Sequence, residues 1–158
     1  MKVLYLDIDG VLNSHRYDQE RTAGQGNIDE SRLPLLREIV CATGAQIVLI
    51  SSWRIHWDRE PGQRDNIGRE LDTLFARYGL TILDKTPQMP RSRAEQILAW
   101  QEQCPQTVEA FVILDDAFGG WGDLAERLVK TNSRIGRGLE SAHVEAAIRL
   151  LGRKEESI

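Results

Sequence analysis

Hydrophobic runs of strand length alternate along the chain with stretches whose apolar residues recur at helical spacing. The runs predict β-strands at residues 3–8, 46–50, 80–83, 110–114 and 127–131. The amphipathic stretches predict helices at residues 31–43, 66–78, 92 or 93 to 103, and 141–151. Strands that alternate with helices are typical of a parallel sheet covered on both faces. We therefore expect an α/β fold of three layers around a doubly wound parallel sheet.

Two segments between these elements lack a clear period. Residues 14–27 are polar and contain glycines, so we expect a loop or a small hairpin beside the tip of the first strand. The polar segment after the second strand includes Pro61 and Gly62, and we expect it to be mobile. The 158 residues suit one compact domain. We expect that domain to span residues 1–152, followed by a charged, frayed tail at residues 153–158.

Composition narrows the class of protein. Hydrophobic residues make up 41% and charged residues 28%, as in ordinary soluble globular domains. A formal net charge of -4 gives no general basic footprint for nucleic acid. The two cysteines are too few for a disulfide scaffold or a zinc site. No apolar stretch is long enough to span a bilayer, and no signal-peptide cleavage pattern is present. We expect a cytoplasmic monomer or small homo-oligomer that makes no membrane contact.

Polar residues cluster where three predicted strands end. The clusters are Asp7 with Asp9, Ser51 with Ser52, and Asp115 with Asp116. In a parallel sheet these ends lie on one edge, where ligands bind in open α/β folds. Carboxylates are costly to bury unless a cation or hydrogen bonds compensate them. The pattern therefore predicts a metal site, and Mg²⁺ suits its oxygen ligands.

The acids and their neighbours suggest phosphoryl transfer. Asp7 can attack phosphorus to form an aspartyl-phosphate, and Asp9 can serve as general acid and base. The candidate Mg²⁺ ligands are Asp7, the backbone carbonyl of Asp9, and the Asp115–Asp116 pair.

Two further groups can hold the substrate phosphate. A hydroxyl of Ser51 or Ser52 can donate a hydrogen bond to a phosphate oxygen, and the preceding apolar run favours Ser51. A cation from Lys85, Arg91 or Arg93 can add charge, and Arg93 is preferred because it opens a helix.

Four motifs stand in a recognisable order: residues 7–12 (DIDGVL), Ser51 after four apolar residues, a Lys or Arg, and residues 112–116 (VILDD). This ordered set resembles the haloacid dehalogenase (HAD) superfamily of phosphohydrolases. Closer still, the segments LDIDGVLN, SSWR, RAEQI and LDD are similar to the small HAD domains of RNA-repair-associated proteins. The resemblance implies a Rossmann-like HAD fold and a phosphatase or phosphotransferase, because superfamily phosphatases carry an aspartate at the position of Asp9. Which of Asp115 and Asp116 would bind metal directly stays open.

The spacing between the motifs also bears on the substrate. Neither gap is long enough for a separate cap domain, so the site is expected to be open and able to accept a phosphate on a nucleotide or a nucleic-acid end. Aromatic and cationic residues follow the second motif, and Asn13, Trp53 and Arg54 are possible substrate contacts. Small phosphorylated metabolites and phosphoproteins remain alternative substrates.

Two further classes of protein remain open. A signalling receiver domain uses similar groups, but its acidic pair comes first in the chain, whereas here it comes late. A non-catalytic phosphate-binding module usually lacks a catalytic residue, and here a candidate exists for every role.

Overall fold

The computed structural model describes residues 1–155 and places a five-stranded sheet at their centre. All strand pairs are parallel, in the order β3-β2-β1-β4-β5. The strands are β1 (Lys2–Leu6), β2 (Gln46–Leu49), β3 (Ile82–Lys85), β4 (Ala110–Asp115) and β5 (Leu128–Lys130). The helices are α1 (His15–Glu20), α2 (Leu33–Thr43), α3 (Asn66–Arg77), α4 (Arg93–Gln103) and α5 (Ser141–Leu151). Short 3-10 helices cover Glu30–Arg32, Ser52–His56, Pro61–Gln63 and Gly122–Arg127.

Helices cover both faces of this sheet because alternate strand residues point to opposite sides. Leu4 and Leu6 pack with apolar residues of α2, α3 and α5 on one face. Val3 and Tyr5 pack on the other face, where α4 supplies Ile97 and Trp100. The predicted three-layer α/β fold is therefore confirmed, and no separate cap domain occurs among residues 1–155. None of the described helices is long and apolar enough to cross a membrane.

The register of the central strands sets the position of the polar clusters. Leu6 of β1 pairs with Leu49 of β2 and with Leu114 of β4. The backbone N–H of Asp7 continues this ladder by donating to the Leu114 carbonyl at 2.9 Å. The acidic and hydroxyl residues that follow these strands therefore meet at the carboxyl edge of the sheet.

The loop predicted at residues 14–27 contains a short helix instead. The Ser14 hydroxyl oxygen caps α1 by accepting from the Tyr17 N–H at 3.1 Å. Tyr17 is the one buried residue of this six-residue helix, so no hydrophobic period marks it in the sequence.

The segment expected to be mobile after the second strand is anchored. Trp57 is 2% exposed, and its indole N–H donates to Asp72 of α3 at 2.9 Å. The Arg64 guanidinium lies 3.8 Å from the centre of the Trp57 ring. Arg64 Nη1 also donates to Asp72 Oδ2 at 2.8 Å, so Trp57 and Arg64 both tie the segment to α3.

The third strand starts two residues later than predicted. Leu80 is buried but precedes the strand, whereas Asp84 and Lys85 pair with Val48 and Leu49. The polar residues Asp84 and Lys85 end this edge strand, so the apolar run alone does not give its bounds. The beginning of the predicted tail is also anchored, since the Lys154 N–H donates to the Ala42 carbonyl at 2.9 Å. Residues 156–158 of that tail lie outside the described residues.

Candidate active site at the carboxyl edge of the sheet

Three carboxylates converge beyond the ends of β1 and β4. Each of Asp7, Asp115 and Asp116 offers an oxygen, and these oxygens all lie within 4.8 Å of one another. Asp7 and Asp115 are buried, and Asp116 is partly buried. Hydrogen bonds from nearby backbone N–H groups orient two of them. Asp7 Oδ1 accepts from the Ile8 N–H at 2.9 Å, and Asp115 Oδ1 accepts from the Ala117 N–H at 2.8 Å.

Gly10 lets the third carboxylate approach the first strand. Its φ is +86°, in the left-handed region that favours glycine. A Cβ at this position would overlap the carboxyl group of Asp116. The Ser133 hydroxyl donates to Asp116 Oδ2 at 3.2 Å and helps to orient the carboxylate. The glycine of the first motif is thus required both by its backbone and by its neighbour.

Arg93 at the start of α4 faces this acidic cluster. Its Nη1 lies 3.0 Å from Asp7 Oδ2 and closer still to Asp115 Oδ2. The other two candidate cations lie elsewhere. Arg91 is exposed and pairs with Glu95 at 3.7 Å, and Lys85 donates to the backbone carbonyl of Arg54 at 3.0 Å. Of the three cations considered from the sequence, the structure brings Arg93 to the acids.

The acidic cluster changes the protonation of Asp7. The pKa of Asp7 is raised to about 7, chiefly by burial and secondly by the nearby charge of Asp115. The Arg93 guanidinium opposes both effects but does not cancel them. One arginine therefore leaves negative charge at this site incompletely compensated. A hard divalent cation fits such a set of oxygen donors.

Asp9 projects from the first motif at the edge of this cluster. It is exposed, and its carboxylate is not one of the three that converge within 4.8 Å. Asn13 Nδ2 donates to Asp9 Oδ1 at 2.9 Å, and Trp53 Nε1 donates to Asp9 Oδ2 at 3.2 Å. Asn13 is held in turn, because its Oδ1 accepts from the Gly10 N–H at 2.8 Å. Two neutral donors thus orient Asp9 without forming an ion pair with it.

The two serines after β2 have different surroundings. Ser51 is fully buried, and its Oγ accepts from the Trp53 N–H at 3.1 Å. The Ile50 N–H donates to the Leu6 carbonyl at 3.0 Å, so Ser51 directly follows the β1–β2 ladder at the carboxyl edge of the sheet. Ser52 is exposed at the start of the following 3-10 helix. Of the two serines, Ser51 is therefore the one buried at the carboxyl edge of the sheet, whereas Ser52 is exposed.

Arg54 does not occupy the position expected of a substrate contact. It is 6% exposed, and burial lowers its pKa. Its Nη1 donates to Thr86 Oγ1 at 2.6 Å and to Gln96 Oε1 at 3.0 Å, and its Nε donates to the Ser51 carbonyl at 2.9 Å. The side chain thus joins the ends of β2 and β3 to α4. Thr86 and Gln96 were not identified from the sequence as partners of Arg54, although Gln96 lies in the RAEQI segment.

Two cavities open beside Trp53. The site cavity has a volume of about 440 Å³, and Asp9, Asn13 and Asp116 line it together with His15 and Arg21 of the segment around α1. The α3 groove has a volume of about 690 Å³ and lies between residues 24–30, the 3-10 helix at Ser52–His56, and α3. Trp53 and Asn27 line both cavities. His15 and Arg21 were not among the site residues predicted from the sequence.

The fold and the acidic edge together define an HAD-type domain. The family model described as "HAD domain in Swiss Army Knife RNA repair proteins" matches residues 3–144. The chain belongs to this family, which confirms the resemblance drawn from the motifs. HAD domains are generally hydrolases of the phosphatase type and generally use a divalent metal. Searches of curated proteins and of solved structures gave no match to the chain.

Proposed function

We propose that this domain is a Mg²⁺-dependent phosphatase that hydrolyses phosphomonoesters through an aspartyl-phosphate on Asp7. The observation that carries the proposal is the convergence of Asp7, Asp115 and Asp116 beside Arg93 at the carboxyl edge of the sheet. Charge stabilisation at such a site is the main requirement of phosphoryl transfer.

The proposed reaction has two displacements at phosphorus. In the first, an Asp7 oxygen bonds to phosphorus while the bond to the leaving oxygen breaks, and Asp9 donates a proton to that oxygen. In the second, Asp9 takes a proton from a water whose oxygen bonds to phosphorus. The bond between phosphorus and Asp7 then breaks, which releases inorganic phosphate and restores both carboxyl groups.

The metal would be held by Asp7, by Asp115 or Asp116, and by the backbone carbonyl of Asp9. Bound Mg²⁺ would offset the negative charge of the substrate phosphate and of the carboxylates. The raised pKa of Asp7 supports this assignment. Its surroundings disfavour the ionised carboxylate, and a bound cation would stabilise that form.

Two residues are proposed to position the phosphate. Arg93 supplies a guanidinium whose planar donors match phosphate oxygens. The Ser51 hydroxyl accepts one hydrogen bond within the protein and keeps its own proton for donation to the phosphate.

The proposed substrates are nucleotides or phosphorylated nucleic-acid ends. Two observations support this class over small metabolites. The family is named for domains of RNA repair proteins, and the described residues contain no cap that would exclude a polymer. Small metabolites and phosphoproteins are the alternatives that a substrate panel tests.

The test is hydrolysis of an aryl phosphate with and without Mg²⁺. We expect turnover by the wild type with Mg²⁺, none by Asp7→Asn, and a reduced rate in Asp9→Asn. Asp123→Asn, at an exposed aspartate outside the cluster, is the matched control and should keep wild-type activity. Equal activity in the wild type and Asp7→Asn would reject the mechanism. Stable phosphorylation of Asp7 without turnover would instead favour a receiver-like role.

A further inference from the structure

The α3 groove is a cavity that the proposed chemistry leaves unused. Its volume of about 690 Å³ falls in the range of small-molecule sites. Ile28, Leu71 and Leu74 contribute apolar surface, and Trp53 and His56 contribute planar rings. The groove therefore combines apolar contact with aromatic surface, which suits a flat ligand.

The charges along the groove balance one another. Arg69 and Arg77 line it together with Glu30 and Glu70. Arg77 Nη1 lies 3.4 Å from Glu30 Oε1, so one of these cations already has an acidic partner. A groove that follows a phosphate backbone needs an excess of positive charge, which is not found here. The occupant should thus be an uncharged part of a substrate.

The position of Asp9 connects the groove to the proposed reaction. The oxygen that receives a proton from Asp9 must come within hydrogen-bond reach of its carboxylate. That carboxylate contacts the indole of Trp53 at 3.2 Å, and Trp53 also lines the groove. The group attached to the leaving oxygen therefore begins beside Trp53, which lines both the site cavity and the groove.

We infer that the α3 groove binds the nucleoside that carries the scissile phosphate, with its base against Trp53. This inference rests on the proposed phosphatase function and names the recognition element of its substrate. A nucleobase is planar and uncharged and carries hydrogen-bonding groups at its edge, which matches aromatic rings set among polar side chains. Stacking of a base on an aromatic ring changes affinity by about tenfold or more.

A groove-filling variant provides the test. Gly24 lines the groove, a Cβ added there meets no atom within 4 Å, and its φ lies outside the left-handed region. Gly24→Trp should therefore fold and obstruct the groove. Gly62→Trp is the matched control, because Gly62 has the same open surroundings and does not line either cavity. Thermal unfolding of both variants checks that each is folded.

The substrates are dinucleotides phosphorylated at the 3′ or the 5′ end, each with a normal base or a tetrahydrofuran abasic unit at the phosphorylated residue. We expect wild-type kcat/KM to favour the normal base by about tenfold or more at one of the two ends. Gly24→Trp should remove this preference, and Gly62→Trp should retain it. The preference should depend little on salt, since the groove carries balanced charge.

Two outcomes separate this inference from the proposed function. Turnover of an aryl phosphate and of the dinucleotides, with no preference for the normal base over the abasic unit at either end, would overturn the groove assignment and leave the phosphatase proposal intact. If no phosphate is hydrolysed, calorimetric binding of the same dinucleotides gives the second readout. Base-dependent binding that Gly24→Trp abolishes would then support the groove while the phosphatase proposal fails. A preference for a phosphopeptide over every dinucleotide, lost in Gly24→Trp, would overturn the nucleoside assignment.

Discussion

The indole N–H of Trp53 donates to Oδ2 of Asp9 at 3.2 Å, across 44 positions of sequence. Asn13 holds the other oxygen of the same carboxylate at 2.9 Å. The proposed acid and base is thus oriented from two sides by groups that carry no charge. Such donors can fix the direction of a carboxylate while its proton remains available for transfer.

Trp53→Phe removes this N–H and keeps a smaller aromatic ring. We expect kcat to fall about tenfold for an alkyl phosphate, because the indole N–H would stabilise the negative charge that Asp9 acquires as it gives up its proton. The fall should be smaller for a nitrophenyl phosphate, whose leaving oxygen needs little protonation. Steady-state kinetics with leaving groups of graded pKa measures this difference.

Trp57→Phe is the matched control for that experiment. It removes an indole N–H that donates to Asp72 at 2.9 Å, in a residue that is 2% exposed and lines neither cavity. It should lower stability without changing the dependence on the leaving group. An equal loss of rate on every phosphate in Trp53→Phe would show that Trp53 does not act through Asp9.

Gly10→Ala should weaken metal binding as well as destabilise the fold. Gly10 has φ of +86°, and a new Cβ would displace the carboxyl group of Asp116. Gly44→Ala is the matched control, since Gly44 has φ of +76° and open space around its Cβ position. Each substitution should cost about 1 to 2 kcal/mol of unfolding free energy from backbone strain.

Calorimetric titration with Mg²⁺ separates these two effects of the glycine substitutions. The dissociation constant should rise at least about tenfold in Gly10→Ala and remain unchanged in Gly44→Ala, because only the first variant moves a candidate ligand. Unchanged Mg²⁺ affinity in a folded Gly10→Ala would remove Asp116 from the proposed metal ligands.

Arg93→Met should reduce kcat/KM on the order of a hundredfold, because it removes the guanidinium that faces Asp7 and Asp115. Arg91→Met is the matched control, since Arg91 is exposed and pairs with Glu95 at 3.7 Å, away from the acidic cluster. The measurement is the initial rate at saturating Mg²⁺. A greater loss of activity in Arg91→Met would show that Arg91, and not Arg93, has the phosphate-binding role of the third motif.

The sheet and the acidic cluster were predictable because both depend on local patterns. Buried parallel strands appear as apolar runs, and polar residues directly after two such runs must meet at one edge once the strands are parallel. The direction of Asp9 was not predictable in this way. Its contact with Trp53 depends on where the 3-10 helix after β2 places an indole, and no spacing rule connects the two residues.

Arg54 illustrates the same limit in the other direction. Next to a serine motif and an aromatic residue, an arginine resembles a substrate contact. The fold instead buries it among oxygen acceptors from Ser51, Thr86 and Gln96, up to 42 positions away in sequence. Residue types alone do not predict that the end of an edge strand and the side of a helix supply these acceptors. The positions of His15 and Arg21 in the site cavity were also not predictable, because α1 is too short to show a hydrophobic period.

The protonation of Asp7 predicts how stability depends on pH when metal is removed. Its pKa is about 7 in the folded protein against an ordinary value of 3.8, chiefly because of burial and secondly because of the charge of Asp115. Between these two pH values the folded state retains a proton that the unfolded state releases. The free energy of unfolding should therefore fall as pH rises from about 4 to about 7. Urea unfolding in a chelator measures this slope.

Asp7→Asn isolates this contribution because it removes the titrating group at nearly constant volume. The difference in unfolding free energy between the wild type and Asp7→Asn should change steadily between pH 4 and 7, with the variant gaining relative stability at the upper end. Asp123→Asn should follow the wild-type curve. Added Mg²⁺ should stabilise the wild type most near pH 7 and above, because protons compete with the metal for Asp7 at lower pH. A difference that stays constant across this window would show that Asp7 ionises normally, and the case for a cation at this edge would lose its electrostatic support.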